Sequence, residues 1–245
     1  PRDGVSYGMR YFPLSCVGLY VPGGIAAYPS SVLMDAIPAQ IAGVPKTVMC
    51  TPPNADGTVD PSVLVAADLC GVSRIVKCGG AQAVFAMAYG TDSVPIVDKI
   101  VGPGNIFVAL AKQQLYGVVD IDAIAGPSEV VIIADDKADP SYVAADLLAQ
   151  AEHDALSTSI LLTPSERLIR KVFQQMQLQI VSLIRRSIIE ESLENHGALI
   201  KTQNLKEAIR FSNQIAPEHL QIMTQRPSQV ASQIHHAGAV LIGPL

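Results

Sequence analysis

Tryptophan is missing from these 245 residues, aromatic side chains make up only 5% of them, and charged ones only 16%. With 49% hydrophobic residues the chain has material for a large core, enough for one big domain or two of ordinary size. Alanine, valine, isoleucine and leucine supply it, which suits helices packed on buried parallel strands. No cluster of lysine and arginine stands out and the net charge is -5, so nucleic acid is not an expected partner. No apolar run reaches the roughly 18 residues of a membrane span, and the polar start Pro1-Arg-Asp-Gly lacks a signal-peptide core. The expectation is a soluble, cytoplasmic protein without membrane contact.

Two further absences narrow the chemistry. Cys16, Cys50, Cys70 and Cys78 show no CxxC spacing and sit beside apolar residues, so they read as reduced, mostly buried thiols. A nucleophilic Cys16 or Cys50 would need a base, and neither has one nearby in sequence. GxGxxG is also absent, so a nicotinamide cofactor would not be cradled in the ordinary way.

What is present is a βα rhythm. Short β-branched strands over 16–21, 47–50, 74–77 and 99–101 alternate with helices, three of the turns between them carrying glycine: Pro22-Gly-Gly24, Gly79-Gly-Ala-Gln82 and Gly102-Pro-Gly-Asn105. The first helix is expected to be capped by Ser30 or Ser31 and to kink or restart at Pro38. Asp60-Pro61 opens the second, and others run over 83–89 and 106–115. This is the pattern of a doubly wound parallel sheet, whose ligand crevice lies outside the carboxyl ends of the strands. After a candidate hinge at Ala125-Gly-Pro-Ser128 the rhythm restarts. Strands are expected over 129–134, 159–163, 197–201, 220–223 and 239–242. Helices are expected over 140–152, 164–186, 204–213 and 227–236, with Ile180, Leu183 and Ile184 as a core-facing stripe.

Gln150-Ala-Glu-His153 places a carbonyl oxygen and an imidazole on one helix face, a pair that can grip a divalent metal such as zinc once other ligands join it. Alone, the pair is an ordinary solvated helix face. Glu218-His219, after Pro217, joins a base that titrates near neutral pH to a carboxylate that can activate water. Ser128 could hold a substrate amine or imidazole through its hydroxyl, or simply cap a turn. His196 reads as a loop residue, and His235 and His236 as solvated residues of a late helix.

Seven stretches, in order and spacing, resemble the histidinol dehydrogenase family. They are Tyr20-Val-Pro-Gly-Gly24, Tyr28-Pro-Ser-Ser-Val-Leu-Met34, Gly79-Gly-Ala-Gln82, Val101-Gly-Pro-Gly-Asn105, Ala125-Gly-Pro-Ser-Glu129, Asp146-Leu-Leu-Ala-Gln-Ala-Glu-His153 and Ala216-Pro-Glu-His-Leu220. The resemblance implies two Rossmann-like, aldehyde-dehydrogenase-like lobes: a partial N-terminal arm over 1–15, a cofactor-side domain over 16–126, and a metal- and base-side domain over 127–245. It implies a zinc- and NAD-dependent homodimer that oxidises L-histidinol through histidinaldehyde to L-histidine. Gln150 and His153 match zinc ligands that also place the substrate, His219 the base, and Glu218 the water-activating residue. Tyr20, Gln82 and Asn105 match cofactor contacts, and Ser128 a substrate contact. The family carries further segments at both ends, with two more zinc ligands in the C-terminal one. This chain is therefore expected to keep the two-domain core with little or no activity. A dehydrogenase of another small polar alcohol (a sulfonated diol) and a non-catalytic ligand-binding core are the alternatives. The reading requires the imidazoles of His153 and His219 to converge on one pocket at the junction of the lobes.

Overall fold

A computed structural model of the chain describes Gly4, residues 6–23 and residues 27–243. Gly24, which closes the first glycine turn, lies outside them. The chain divides into two compact units, Pro1–Gly126 and Pro127–Leu245. Residues 6–15 contain neither helix nor strand and belong to the first unit.

The first unit runs β1 (Val17–Tyr20), α1 (Pro29–Ile41), β2 (Thr47–Thr51), α2 (Pro61–Leu69), β3 (Arg74–Lys77), α3 (Gly80–Tyr89), β4 (Lys99–Val101), α4 (Ile106–Leu115) and β5 (Asp120–Ile121). Its sheet is parallel throughout, in the order β3-β2-β1-β4-β5. Val17, Leu19 and Val21 pack with α1 and α2, while Tyr20 packs with α3 and α4. That is the period-2 alternation of a strand buried on both sides.

The second unit runs β6 (Glu129–Ala134), α5 (Pro140–Ala151), β7 (Thr158–Thr163), α6 (Glu166–Gln179), α7 (Arg186–His196), β8 (Gly197–Lys201), α8 (Leu205–Ile215), β9 (His219–Met223), α9 (Pro227–Ala231) and β10 (Ala239–Ile242). The same strand order recurs as β8-β7-β6-β9-β10, again all parallel. Val130, Ile132 and Ala134 of β6 face α5 and α6; Val131 and Ile133 face α8 and α9. Among the described residues no helix is long and apolar enough to cross a membrane.

Several local expectations need correction. No serine caps α1: Pro29 occupies its first turn and Tyr28 offers no side-chain bond. The helix also passes through Pro38 without restarting, because Pro38 lies on the exposed side, where solvent can take the carbonyl it frees. The helix expected over 164–186 is two helices. A 3-10 turn (Ile180–Ser182) and an extended Leu183 separate them, and the Ser182 hydroxyl donates back to the Gln179 carbonyl at 3.0 Å. Ile180 and Leu183 do pack inward, but Ile184 is 98% exposed. His196 ends α7 instead of lying in a loop. The last helix stops at Ala231, since the Asn213 side-chain oxygen accepts the amides of His235 (2.8 Å) and His236 (3.3 Å) and holds both in a loop.

Ile132, with 0% exposure at the centre of β6, is the position from which the second core can be judged. Ile132→Ala is expected to cost about 2–5 kcal/mol in urea unfolding, and an unchanged midpoint would contradict its central placement.

Candidate active site

In the second unit α5 leaves the carboxyl end of β6 and returns to the amino end of β7, so its last turn stands at the amino edge of the sheet. Val143, Ala144 and Leu147 of α5 pack with Val130 and Ile132 of β6 and with Met223 of β9. His219 and Gln221 share the Met223 face by strand alternation, and so look toward α5. Gln221 lies beside the Asp146 carboxyl, which burial pushes above its ordinary value against the pull of Gln221. From that contact, Gln150 lies four residues, about 6 Å, further along the helix, and His219 two residues, about 6.6 Å, further along the strand toward the same edge. Gln150 and His219 therefore stand at about the same height on one face.

Just past α5 the chain closes one tighter turn, the His153 amide donating to the Gln150 carbonyl at 3.2 Å. Side chains at i and i+3 of such a turn eclipse. Gln150 is 9% exposed and His153 is exposed, while Arg185 donates to the His153 carbonyl at 3.5 Å. β9 lies against β6 with His219 beside Val130, so the Glu129 amide donates to Glu218 Oε2 at 3.2 Å across 89 positions of sequence. The same oxygen is 3.7 Å from His219 Nδ1. Ser128 adjoins them, its carbonyl accepting the Thr158 amide at 3.0 Å. Ser128, Gln150, His153, Glu218 and His219 thus gather at one edge.

That edge is unsatisfied. Among the described residues, the buried side-chain nitrogens without a hydrogen-bond partner are Gln150 Nε2, Arg185 Nε and His219 Nδ1. Orphaned buried groups of this kind are uncommon in a folded chain, and two of the three stand at this edge. Chemically, the imidazole and the carboxylate can divide proton transfer, while the amide and the second imidazole offer two metal donors. Among the described residues no group of three or more His, Cys, Asp or Glu could hold a metal. His153 and His219 come from one unit. Both belong to the second unit, because β9 inserts beside β6 on the face that α5 covers.

The first unit offers its opposite, carboxyl edge. Connections leave the adjacent strands β1 and β4 in opposite directions, making their carboxyl ends the switch point where ligands bind in open α/β sheets. Asn105 caps α4, accepting the amides of Phe107 (3.1 Å) and Val108 (3.2 Å), and Gln82 lies exposed in the first turn of α3. Tyr20 is only 3% exposed and its hydroxyl accepts the Gly80 amide at 2.9 Å. It shapes the start of α3 and presents no open ring face. Gly79 admits no side chain, since a Cβ there would stand 2.6 Å from the Pro52 Cβ. Burial pushes the Cys16 thiol up and that of Cys50 up to about 12, the wrong direction for a nucleophile.

Sequence reasoning missed Lys112. It is 2% exposed and donates to the Gly102 carbonyl at 3.0 Å and to the Asp122 carboxylate. The signal was available, for it falls on the buried stripe of α4 with Val108, Ala111 and Leu115. Asp35 lies near the pair, with one carboxylate oxygen buried and unpartnered.

Comparison with solved structures gives the class first. The chain matches an NAD-dependent aldehyde dehydrogenase from Sinorhizobium meliloti with a TM-score of 0.60, over 94% of this chain and 60% of that one. At 15% identity this is a likeness of fold alone, the aldehyde-dehydrogenase-like α/β fold. The family follows from closer matches. The histidinol dehydrogenase family model matches residues 1–245, and the chain belongs to that family. Histidinol dehydrogenase from Lactococcus lactis is 55% identical over 242 residues, which is 99% of this chain and 56% of that relative. The crystal structure of the Elizabethkingia anophelis histidinol dehydrogenase matches with a TM-score of 0.89 at 43% identity, over 96% of this chain and 54% of that one. The chain thus spans about half the length of the relatives it matches.

Burial, then the charge of Asp122, push the Asp35 carboxyl from 3.8 up to about 7, with Lys112 pulling the other way. The folded chain therefore holds this proton over a range where the unfolded chain has released it. Stability falls as pH rises from 3.8 to about 7, and the cost is complete above that. Asp35→Asn is expected to unfold at higher urea than the parent above about pH 8, by on the order of 1 kcal/mol after allowing for solvent screening. The gap should close on acidification. A variant less stable at alkaline pH would mean that Lys112 stabilises the carboxylate by more than its burial costs.

Proposed function

We propose that this protein is a zinc- and NAD-dependent oxidoreductase of histidine biosynthesis, oxidising L-histidinol through histidinaldehyde to L-histidine. Membership of the family supports the reaction class. The observation that carries the residue roles is the edge where His219, with Glu218 Oε2 3.7 Å from its Nδ1, faces the helix bearing Gln150, which the turn carrying His153 follows. The reading makes the enzyme a cytoplasmic homodimer.

The donor set fits a metal in part: the Gln150 side-chain carbonyl and the exposed His153 imidazole suit zinc, which when bound would supply a fixed charge for the substrate's nitrogen donors. The glycine-lined switch point of the first unit, with Gln82 and Asn105 exposed beside it, suits a dinucleotide, which when bound would supply the hydride acceptor. His219 takes the proton of the substrate hydroxyl as hydride leaves the same carbon. Glu218 takes a proton from the water that adds to the aldehyde. His219, having released its first proton to solvent, then takes a hydroxyl proton of the resulting diol as the second hydride departs, leaving the carboxylic acid, which ionises. Ser128, next to Glu129 on the same edge, would hold the substrate's polar groups.

Expressed in a histidine auxotroph lacking this step, a full-length gene carrying this sequence together with the segments its relatives have should restore growth without added histidine, and growth only with histidine would count against the assignment. In the purified enzyme, His219→Asn and Glu218→Gln should each lower kcat by about 100-fold or more. An activity equal to the parent's in either would remove that residue from the mechanism. Two donors make a weak site, so the 245 residues by themselves should hold zinc loosely and turn over little. Stoichiometric zinc after dialysis would overturn that.

A further inference from the structure

The buried ion pair of the first unit has no part in the reaction just described, yet it encloses one peptide group. Lys112 Nζ donates to the Gly102 carbonyl at 3.0 Å and to Asp122 Oδ1, while Asp122 Oδ2 accepts the Gly102 amide at 2.8 Å. Both polar groups of Gly102 are thereby tied to a pair that is itself joined. Gly102 needs such a hold. Its φ is +112°, a region L side chains rarely adopt, and a Cβ there would run into the Tyr20 carbonyl and lie 2.8 Å from an Asp35 oxygen. Burying an ammonium on the apolar stripe of α4 carries a desolvation cost that well-packed hydrophobic side chains would not incur. The pair's return is geometric: it sets where the turn between β4 and α4 stands at the switch point between β1 and β4.

We propose that Lys112 and Asp122 are positioning residues for the dinucleotide, locking the glycine turn so that Asn105 and the amides around it meet the cofactor in one conformation. This rests on the reading that the switch point of the first unit takes NAD.

The test uses two variants and two readouts. Lys112→Met removes one partner and leaves a carboxylate uncompensated, so it can fail by misfolding. The double variant Lys112→Met/Asp122→Leu removes both charges, so neither partner is left uncompensated. Thermal unfolding followed by circular dichroism should show the double variant folded with stability close to the parent's. Its calorimetric Kd for NAD+ should nevertheless be weaker by about tenfold or more, and the Gly102 and Asn105 amides should exchange with solvent at least about tenfold faster. A stable double variant with the parent's Kd overturns the proposal whatever its exchange rates, because a purely structural pair would loosen the turn without weakening cofactor binding. Unmodified protein that binds no NAD+ would sink the cofactor reading by itself. Amide exchange, which needs no cofactor, would then still decide whether the pair locks the turn.

Discussion

Val130 of β6 lies beside His219 of β9, and much else in the second unit depends on that register. One step of slippage would turn His219 and Gln221 away from α5 and drive Leu220 and Ile222 into its place. The sequence of β9 resists this. Leu220 and Ile222 enter the core beneath α8 and α9, while His219 and Gln221 meet the polar part of α5, where Gln221 lies beside Asp146. A polar seam thus runs between helix and strand inside an otherwise apolar layer. The partnerless nitrogens of Gln150 and His219 lie at its end, at the edge of the sheet.

The two units share one strand order and use opposite edges of it. In the first, the candidate residues cluster at the carboxyl edge, where α4 begins. A helix start presents free amides and the positive end of its dipole, which suits an anionic dinucleotide. In the second they cluster at the amino edge, where α5 ends. A helix end presents carbonyls and negative potential, which suits a cation. The same architecture thus offers two electrostatically opposite sites, according to which end of a helix the chain places at the edge. The usual rule for open α/β sheets covers the first case and is silent on the second.

Much of the fold was legible because its signals are local. β6, β8 and β10 were bounded correctly from apolar runs alone, and Asp60 and Asn204 cap their helices as their positions require. Where reading failed, a bond of longer reach had prevailed. Asn213 captures the amides of His235 and His236 and ends α9 early. The Ser182 hydroxyl competes for a backbone carbonyl where two helices had looked like one. β5 has two residues, too few to leave a pattern. Lys112 was passed over because a lysine ordinarily marks a solvated face, and only its partners explain its burial.

From sequence alone came the alternation of strands and helices, the division near Gly126, the glycine turns and the pairing of Gln150 with His153. Each depends on residues within a turn or two of one another. Tertiary structure alone decided that the Tyr20 hydroxyl holds the Gly80 amide, that Gly102 is held between a lysine and an aspartate, and that Glu218 reaches the amide of Glu129. Those contacts follow from strand order and register, which bring distant residues within bonding distance, and no local preference of the backbone encodes them.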